Sequence, residues 1–458
     1  MSELFYILLP FVILYLFKLY PLFRKDLVYL LFVFWVTGVA TLAREFTYIK
    51  FGFIYITELI MLSVILSSMV RASLGRKLIT FKNGIINVAL LFLFAYQSWG
   101  LLRLIYDLLF FKPSVTSEDN ILTVLRNFSL VYYSIFVYIV LIVLNFEGAK
   151  KIEAIFKSIL YFSVLRNIVV IVLYAIGYET FIPEDGGIIG GHHSLFAVFS
   201  FLISFYFLIE YRDLKYLFFL LLNLIFVVLS SHRSAFMALI GSVLLLILLY
   251  KGQIKFKLIT ALLISFFGLS FVIITFSESA FAFIVRKISE NFESLVYYKL
   301  SDPNSNWRYL YWNNVLKVFL ENPIGVGFNY SLSNLAPWWV WSDNPREILF
   351  RSSLRLDPHN SFLSILVRTG AVGFAMFTLF LAIFFIIVRK TYKKAKGKIK
   401  NLLIISFSNF ISVSMFAMFN VTLEGPYHGT FFWIWIGICL FIALNVKNAV
   451  ESNGIFKD

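Results

Sequence analysis

Five histidines occur in 458 residues, and one of them sits at the mouth of an apolar run. Asp357-Pro358-His359-Asn360 leads directly into SFLSILVRTGAVG. The four residues read as a helix start, with Asp357 or Asn360 as cap and Pro358 in the first turn. That reading leaves the histidine unexplained. Partial positive charge at a helix N-terminus disfavours imidazolium. His359 is therefore expected to be neutral near pH 7 and able to accept a proton as a general base. At about 100° per residue, Gly370 falls roughly 20° from His359 around the helix and Gly373 roughly 40° the other way, with Leu366 near the same line. Glycines admit a neighbouring helix closely, so the spacing predicts a tight helix pair that fixes the histidine. Arg368 falls on the opposite face and is not expected to touch His359.

Arginines are the second group with chemical meaning, because the planar guanidinium matches phosphate oxygens. Arg233 lies in SSHRSAFMALIG, Arg308 opens an aromatic stretch, and Arg351 and Arg355 precede His359 in FRSSLRLDPHN. Each taken singly reads as a surface or lipid-headgroup contact; several on one membrane face with a histidine suggest a lipid-phosphate site. His232 adjoins Arg233, His192 and His193 lie in GGHHS, and Glu424 and His428 lie in EGPYHG, where they could reach the same space. Glu58 and Arg166 fall inside apolar runs, where a charge is costly and is a functional candidate or half of a structural pair. No acid-x-acid pair, P-loop, dinucleotide glycine fingerprint or HExxH motif occurs. GVGFNYS reads as a turn after Pro323. Cys439 is the single cysteine, which excludes an internal disulfide and a cysteine metal site. Neither metal nor cofactor is expected.

The elements that must hold these residues are membrane helices. The chain is 60% hydrophobic and 14% charged, more apolar than a water-soluble domain can hide. Spans of about 20 residues are expected at 2–20, 27–43, 51–70, 84–105, 124–145, 158–177, 194–210, 215–231, 233–250, 258–277, 361–388, 402–422 and 429–446. MSELFYILLP reads as a retained first span. The net charge of +15 is not spread as a nucleic-acid footprint. Basic residues recur in alternate loops, above all in VRKTYKKAKGKIK, which is the positive-inside pattern. Alternation then puts residues 106–123, 178–193, 231–233, 278–360 and 423–428 on the far side. The expected fold is an all-α polytopic membrane protein of about 12–13 spans. It forms one membrane domain over 1–458, with 278–360 as a large far-side loop. That loop holds eight basic and eight acidic residues. It carries helical patterning in SAFAFIVRKISENFESLVYY and in NWRYLYWNNVLKVFLENP, the second ended by Asn322-Pro323. Its aromatics Trp307, Tyr309, Tyr311, Trp312, Trp338, Trp339 and Trp341 suit a membrane interface.

Together these residues resemble the O-antigen ligase and O-antigen polymerase superfamily of bacterial membrane glycosyltransferases. The most specific element is His359-Asn360, nine residues, then Gly370-Ala371-Val372-Gly373, similar to the ligases' histidine motif. SSHRS at 230–234, WRYLYWNNVLKVFLENPIGVGFNYS at 307–331 and IYITELIML around Glu58 support it, as does the layout of spans with one late external loop. The resemblance implies a glycosyltransferase C-like fold and a metal-independent, inverting transfer at the outer face of the bacterial inner membrane. The donor would be a glycan on undecaprenyl pyrophosphate; the acceptor would be a lipid A-core sugar for a ligase or another lipid-linked repeat for a polymerase. It further implies His359 as base and Arg233, Arg308, Arg351 and Arg355 as pyrophosphate ligands. Its partners would be lipid-linked glycans and the bilayer, not nucleic acid. The reading of another class is a lipid-linked oligosaccharide flippase, for which an internal repeat would be expected and none is seen.

Overall fold

Hydrocarbon offers a peptide group no hydrogen-bond partner, so an apolar chain of this kind must cross as helices or a closed barrel. The computed structural model describes residues 27–52, 54–73, 84–110, 121–144, 149–175, 193–230, 232–257, 259–260, 262–264, 303–337, 340 and 357–451. Nearly all of these residues are helical, and the only strands among them are the two-residue pair Lys50–Phe51 and Ile54–Tyr55. In chain order the helices are α1 Leu27–Leu42, α2 Arg44–Thr47, α3 Ile56–Ser73, α4 Gly84–Leu109, α5 Ile121–Asn127, α6 Ser129–Tyr132 and α7 Phe136–Leu144. There follow α8 Ala149–Ala175, α9 Ser194–Tyr211, α10 Leu214–Leu229, α11 Arg233–Leu249, α12 Pro303–Glu321, α13 Ser361–Lys394, α14 Gly397–Ala417 and α15 His428–Glu451.

Seven helical stretches are long and apolar enough to cross a membrane: Gly84–Leu109, Ile121–Leu144, Lys151–Leu173, Ser194–Tyr211, Ser361–Lys394, Gly397–Ala417 and His428–Val446. Four shorter apolar helices, Val28–Leu42, Ile56–Val70, Leu214–Val228 and Arg233–Leu249, join them. The protein is an all-α polytopic membrane protein. Each of these eleven falls on an expected span. The expected span 2–20 lies outside the described residues, as does nearly all of 258–277. The 124–145 span is not one straight helix: α5 and α6 and a 3-10 turn at Tyr133–Ile135 precede α7.

Burial sorts the helices. The stretch HGTFFWIWIGICLFIALNV is apolar on every side, as a helix in the middle of a bundle must be, and 89% of the α15 window is buried. It packs on α7, α13 and α14. By contrast, α4 and α13 are each only 33% buried within their spans and pack against one another at the rim. The candidate site lies where this rim pair meets the N-terminal end of α15.

The second loop helix forms as the sequence suggests. Pro303 opens α12, where its missing N–H costs nothing, and Asn322 N–H donates to the Val318 carbonyl at 3.0 Å just before Pro323 ends the helix. Two of its aromatics pack inward, while Tyr309 is exposed. Trp307 and Tyr311 are buried with Val315, Leu332, Leu363 and Val367, so α12 lies down on α13. The first expected loop helix, 279–298, and Trp338, Trp339 and Trp341 lie outside the described residues.

Candidate active site

The turn at 357–360 is shaped by three hydrogen bonds. Asn360 is the helix cap, its side chain accepting from Leu363 N–H at 3.1 Å. Pro358 precedes the helix instead of lying in its first turn. Its carbonyl accepts from the Trp312 indole of α12 at 2.6 Å, and His359 N–H donates to the Asp357 carbonyl at 2.7 Å. His359 itself adopts φ +50°, the left-handed region. That conformation costs a residue with a Cβ about 1–2 kcal/mol and persists where surroundings over-determine it. The imidazole meets the edge of Trp307, with ring centroids 5.5 Å apart and planes at 88°. Its Nδ1 is enclosed and has no hydrogen-bond partner among the described residues. Burial and then the Arg308 cation push its pKa down to about 4, against a smaller upward pull from Asp357. His359 is neutral at pH 7, as expected, but burial is the main reason.

The glycine spacing has a different meaning from the helical-wheel one. α13 is broken at Gly370, which takes φ 71° and ψ −176° inside the helix. Ala371 N–H, which an unbroken helix would bond to Val367, donates instead to the Pro323 carbonyl at 2.8 Å. The freed carbonyls of Val367 and Arg368 accept from Val326 N–H at 2.8 Å and Gly327 N–H at 3.1 Å. The Trp99 indole of α4 takes the Thr369 carbonyl at 2.7 Å. A Cβ on Gly370 would overlap the Ile324 carbonyl, and one on Gly325, at φ 97°, would lie 2.5 Å from Gly370 N. So Gly370 admits the GVGF segment, not a helix. Gly373 does admit a helix: a Cβ there would meet Trp99 of α4 at 2.8 Å.

GVGF is therefore more than a turn. Arg103 of α4 donates to the Gly325 carbonyl at 2.9 Å. Asp107, one turn on, accepts Phe328 N–H at 2.5 Å, and Asn127 of α5 donates to the Phe328 carbonyl at 2.7 Å. Arg368 closes the clamp, donating to the Tyr330 carbonyl at 3.2 Å, to Gly327's at 3.4 Å and to the Asp357 carboxylate at 2.9 Å. It does not touch His359, in line with its helical phase. It still belongs to the site, because Asp357 lies ahead of the helix, where helical phase does not apply.

Glu424 comes to the same helix start. Ser361 Oγ donates to Glu424 Oε2 at 2.5 Å and accepts the N–H groups of Thr422 at 2.9 Å and Leu423 at 3.0 Å. Burial, then the Asp357 charge, raise the Glu424 pKa to about 7. The last turn of α14 and the segment after it reach other candidates. His232, capping α11 just before Arg233, stacks on Phe416 at 5.2 Å, and His428 meets the same ring at 5.1 Å. Trp312 approaches Phe419 at 6.5 Å. Thus Ser361, two residues after His359, and Trp312, His232 and His428 all meet residues between Phe416 and Glu424 at one end of the bundle, and Arg233 follows His232 in the chain. His193 is buried at the start of α9, its carbonyl accepting from Arg166 at 3.4 Å. Arg351, Arg355 and His192 lie outside the described residues.

Glu58 and Arg166 are absorbed by structure. Glu58 accepts from Tyr132 at 2.7 Å, Tyr133 at 3.1 Å and Tyr55 N–H at 2.5 Å. Arg166 is fully buried and donates to Asn167 Oδ1 at 3.0 Å and the Ala40 carbonyl at 3.2 Å. Sequence reasoning missed Arg103, Asp107, Ser361 and Trp312. Arg103 was findable as a charge within an expected span; nothing in the sequence singles out Trp312. Among the described residues no group of His, Cys, Asp and Glu could hold a metal ion.

Residues 217–378 match the family described as O-antigen ligase. This stretch carries Arg233, Arg308, Asp357, His359, Arg368 and Gly370, and the match supports the O-antigen ligase and polymerase superfamily resemblance. It supports an O-antigen ligase- or polymerase-like glycosyltransferase. No curated protein matches the chain.

Proposed function

Starting from the O-antigen ligase match over residues 217–378, we propose that the protein transfers a glycan from an undecaprenyl-pyrophosphate carrier to an acceptor sugar hydroxyl at the outer face of the bacterial inner membrane. The observation that carries this reading is His359, neutral and half-buried, with the Arg308 cation close enough to depress its pKa. A proton acceptor and a phosphate ligand side by side are what such a transfer needs. His359 takes the proton of the acceptor hydroxyl as the oxygen bonds to the anomeric carbon. The bond from that carbon to the pyrophosphate oxygen breaks, and the electron pair leaves with the pyrophosphate. Arg308 and Arg233, with Arg351 and Arg355 of the same loop, are assigned to the pyrophosphate. Preorganised donors on developing negative charge are worth about 3 kcal/mol or more each, and a positioned base roughly a hundredfold to ten-thousandfold. Attack opposite the leaving group inverts the anomeric centre, and no step requires a metal.

Ligation onto a lipid A-core acceptor is favoured over polymerisation by the histidine motif. The product decides between them. Purified protein given a lipid-linked donor and a core acceptor should yield one added glycan per acceptor. A ladder of lengths made from lipid-linked donor alone would establish a polymerase instead. Movement of the lipid with no new glycosidic bond would establish a flippase.

A further inference from the structure

The transfer step above leaves Arg368 without a part, yet it is tightly built in beside the site. It is 2% exposed. One guanidinium nitrogen pairs with Asp357 at 2.9 Å, and the other bonds the Tyr330 and Gly327 carbonyls. Those carbonyls belong to the segment that Arg103, Asp107 and Asn127 fix to α4 and α5. Asp357 in turn accepts the His359 N–H on its own carbonyl. The left-handed backbone of His359 is thus tied on one side to Asn360, on another to Trp312 through Pro358, and through Asp357 to a buried guanidinium.

We propose that Arg368, acting through Asp357, is a positioning residue. It anchors the left-handed turn to the GVGF segment and so aims the His359 imidazole at the acceptor. This rests on His359 being the base. An arginine fits better than a lysine because three acceptors lie around one planar group. Loss of Arg368 would leave the Asp357 carboxylate, 20% exposed, without this partner.

The test compares Arg368→Met, Arg368→Lys, Asp357→Asn and the double variant Asp357→Asn/Arg368→Met. Transfer is measured from a lipid-linked donor, with membrane level and thermal stability as checks on folding. Arg368→Met and Asp357→Asn should each lose about tenfold or more in kcat while donor KM stays within about twofold. The double variant should be no worse than the poorer single, because both break one link, and Arg368→Lys should recover part of the rate. Arg368→Met should also raise the acidic limb of the pH–rate profile, because the Asp357 charge then acts on His359 unopposed; a purely structural role would not move it. Wild-type kcat in a folded Arg368→Met, a loss confined to donor KM, or losses that add in the double variant would overturn the proposal. If Arg368→Met does not fold, Asp357→Asn carries the test alone, and an unchanged kcat there overturns it. Full activity in His359→Ala would instead bring down the assignment of the base, and the two failures are distinguishable.

Discussion

At the scale of single residues, His359, the proposed base, is held neutral by two effects, burial and the Arg308 cation. Burial is the larger effect and is permanent. The Arg308 cation is the second, and it can be offset: on this account the donor pyrophosphate pairs with Arg308 and relieves its pull on the imidazole. His359 then gains basicity when the donor is in place. The sign follows from charge. A cation disfavours imidazolium, so its field lowers the pKa, and its removal must raise it. Arg308→Gln should raise donor KM and shift the acidic limb of kcat/KM upward from about pH 4. An acidic limb that stays in place would separate Arg308 from the base. The histidine, its neutrality and the arginine were legible in the sequence. The cause of the neutrality was not, because burial by Trp307 comes from a helix fifty residues away.

At the scale of elements, the unit is a half-helix. Ser361 to Thr369 starts at the cap and stops at Gly370, and the GVGF segment plugs the break. The nine residues between Asn360 and Gly370 thus measure one half-helix, with His359 just before one end and the docking point at the other. A helical wheel could not show this, because it assumes that the helix continues through Gly370. The same wheel was right about Gly373 and about the phase of Arg368. Gly370→Ala should be costly on two grounds: φ 71° strains any residue with a Cβ, and the Cβ would overlap the Ile324 carbonyl. We expect a loss of about 1–3 kcal/mol, read as a lower thermal midpoint in detergent with a reduced transfer rate. Gly84→Ala, where a Cβ meets open space, should stay within about 0.5 kcal/mol. Equal midpoints for the two would remove the docking role of the break.

At the scale of the whole molecule, the bundle gathers the candidate site residues at one end. Its lysines cluster at the other, in the connection between α13 and α14. The spans were legible because hydrocarbon imposes length and composition on them. Which helices sit at the centre was also readable, in α15, from a sequence with no polar face. What the sequence could not show was contact between distant segments: Asp107 with Phe328, or Ser361 with Glu424. Sidedness can be tested directly, because Cys439 is buried and is the single cysteine to replace. In a cysteine-free background, Asn334→Cys should react with a membrane-impermeant maleimide on intact spheroplasts. Lys396→Cys should react only after permeabilisation. Both positions are exposed, and labelling in the reverse order would put the site on the cytoplasmic face.

The central claim is that His359 accepts the proton in a glycosyl transfer. Purified wild-type protein and His359→Ala, reconstituted side by side with a lipid-linked glycan donor and a sugar acceptor, test it most directly. The wild type should form a new glycosidic bond and release the carrier pyrophosphate. His359→Ala, folded and binding donor normally, should lose a hundredfold or more of that rate, the range expected for a positioned base. Transfer by His359→Ala at the wild-type rate would contradict the account.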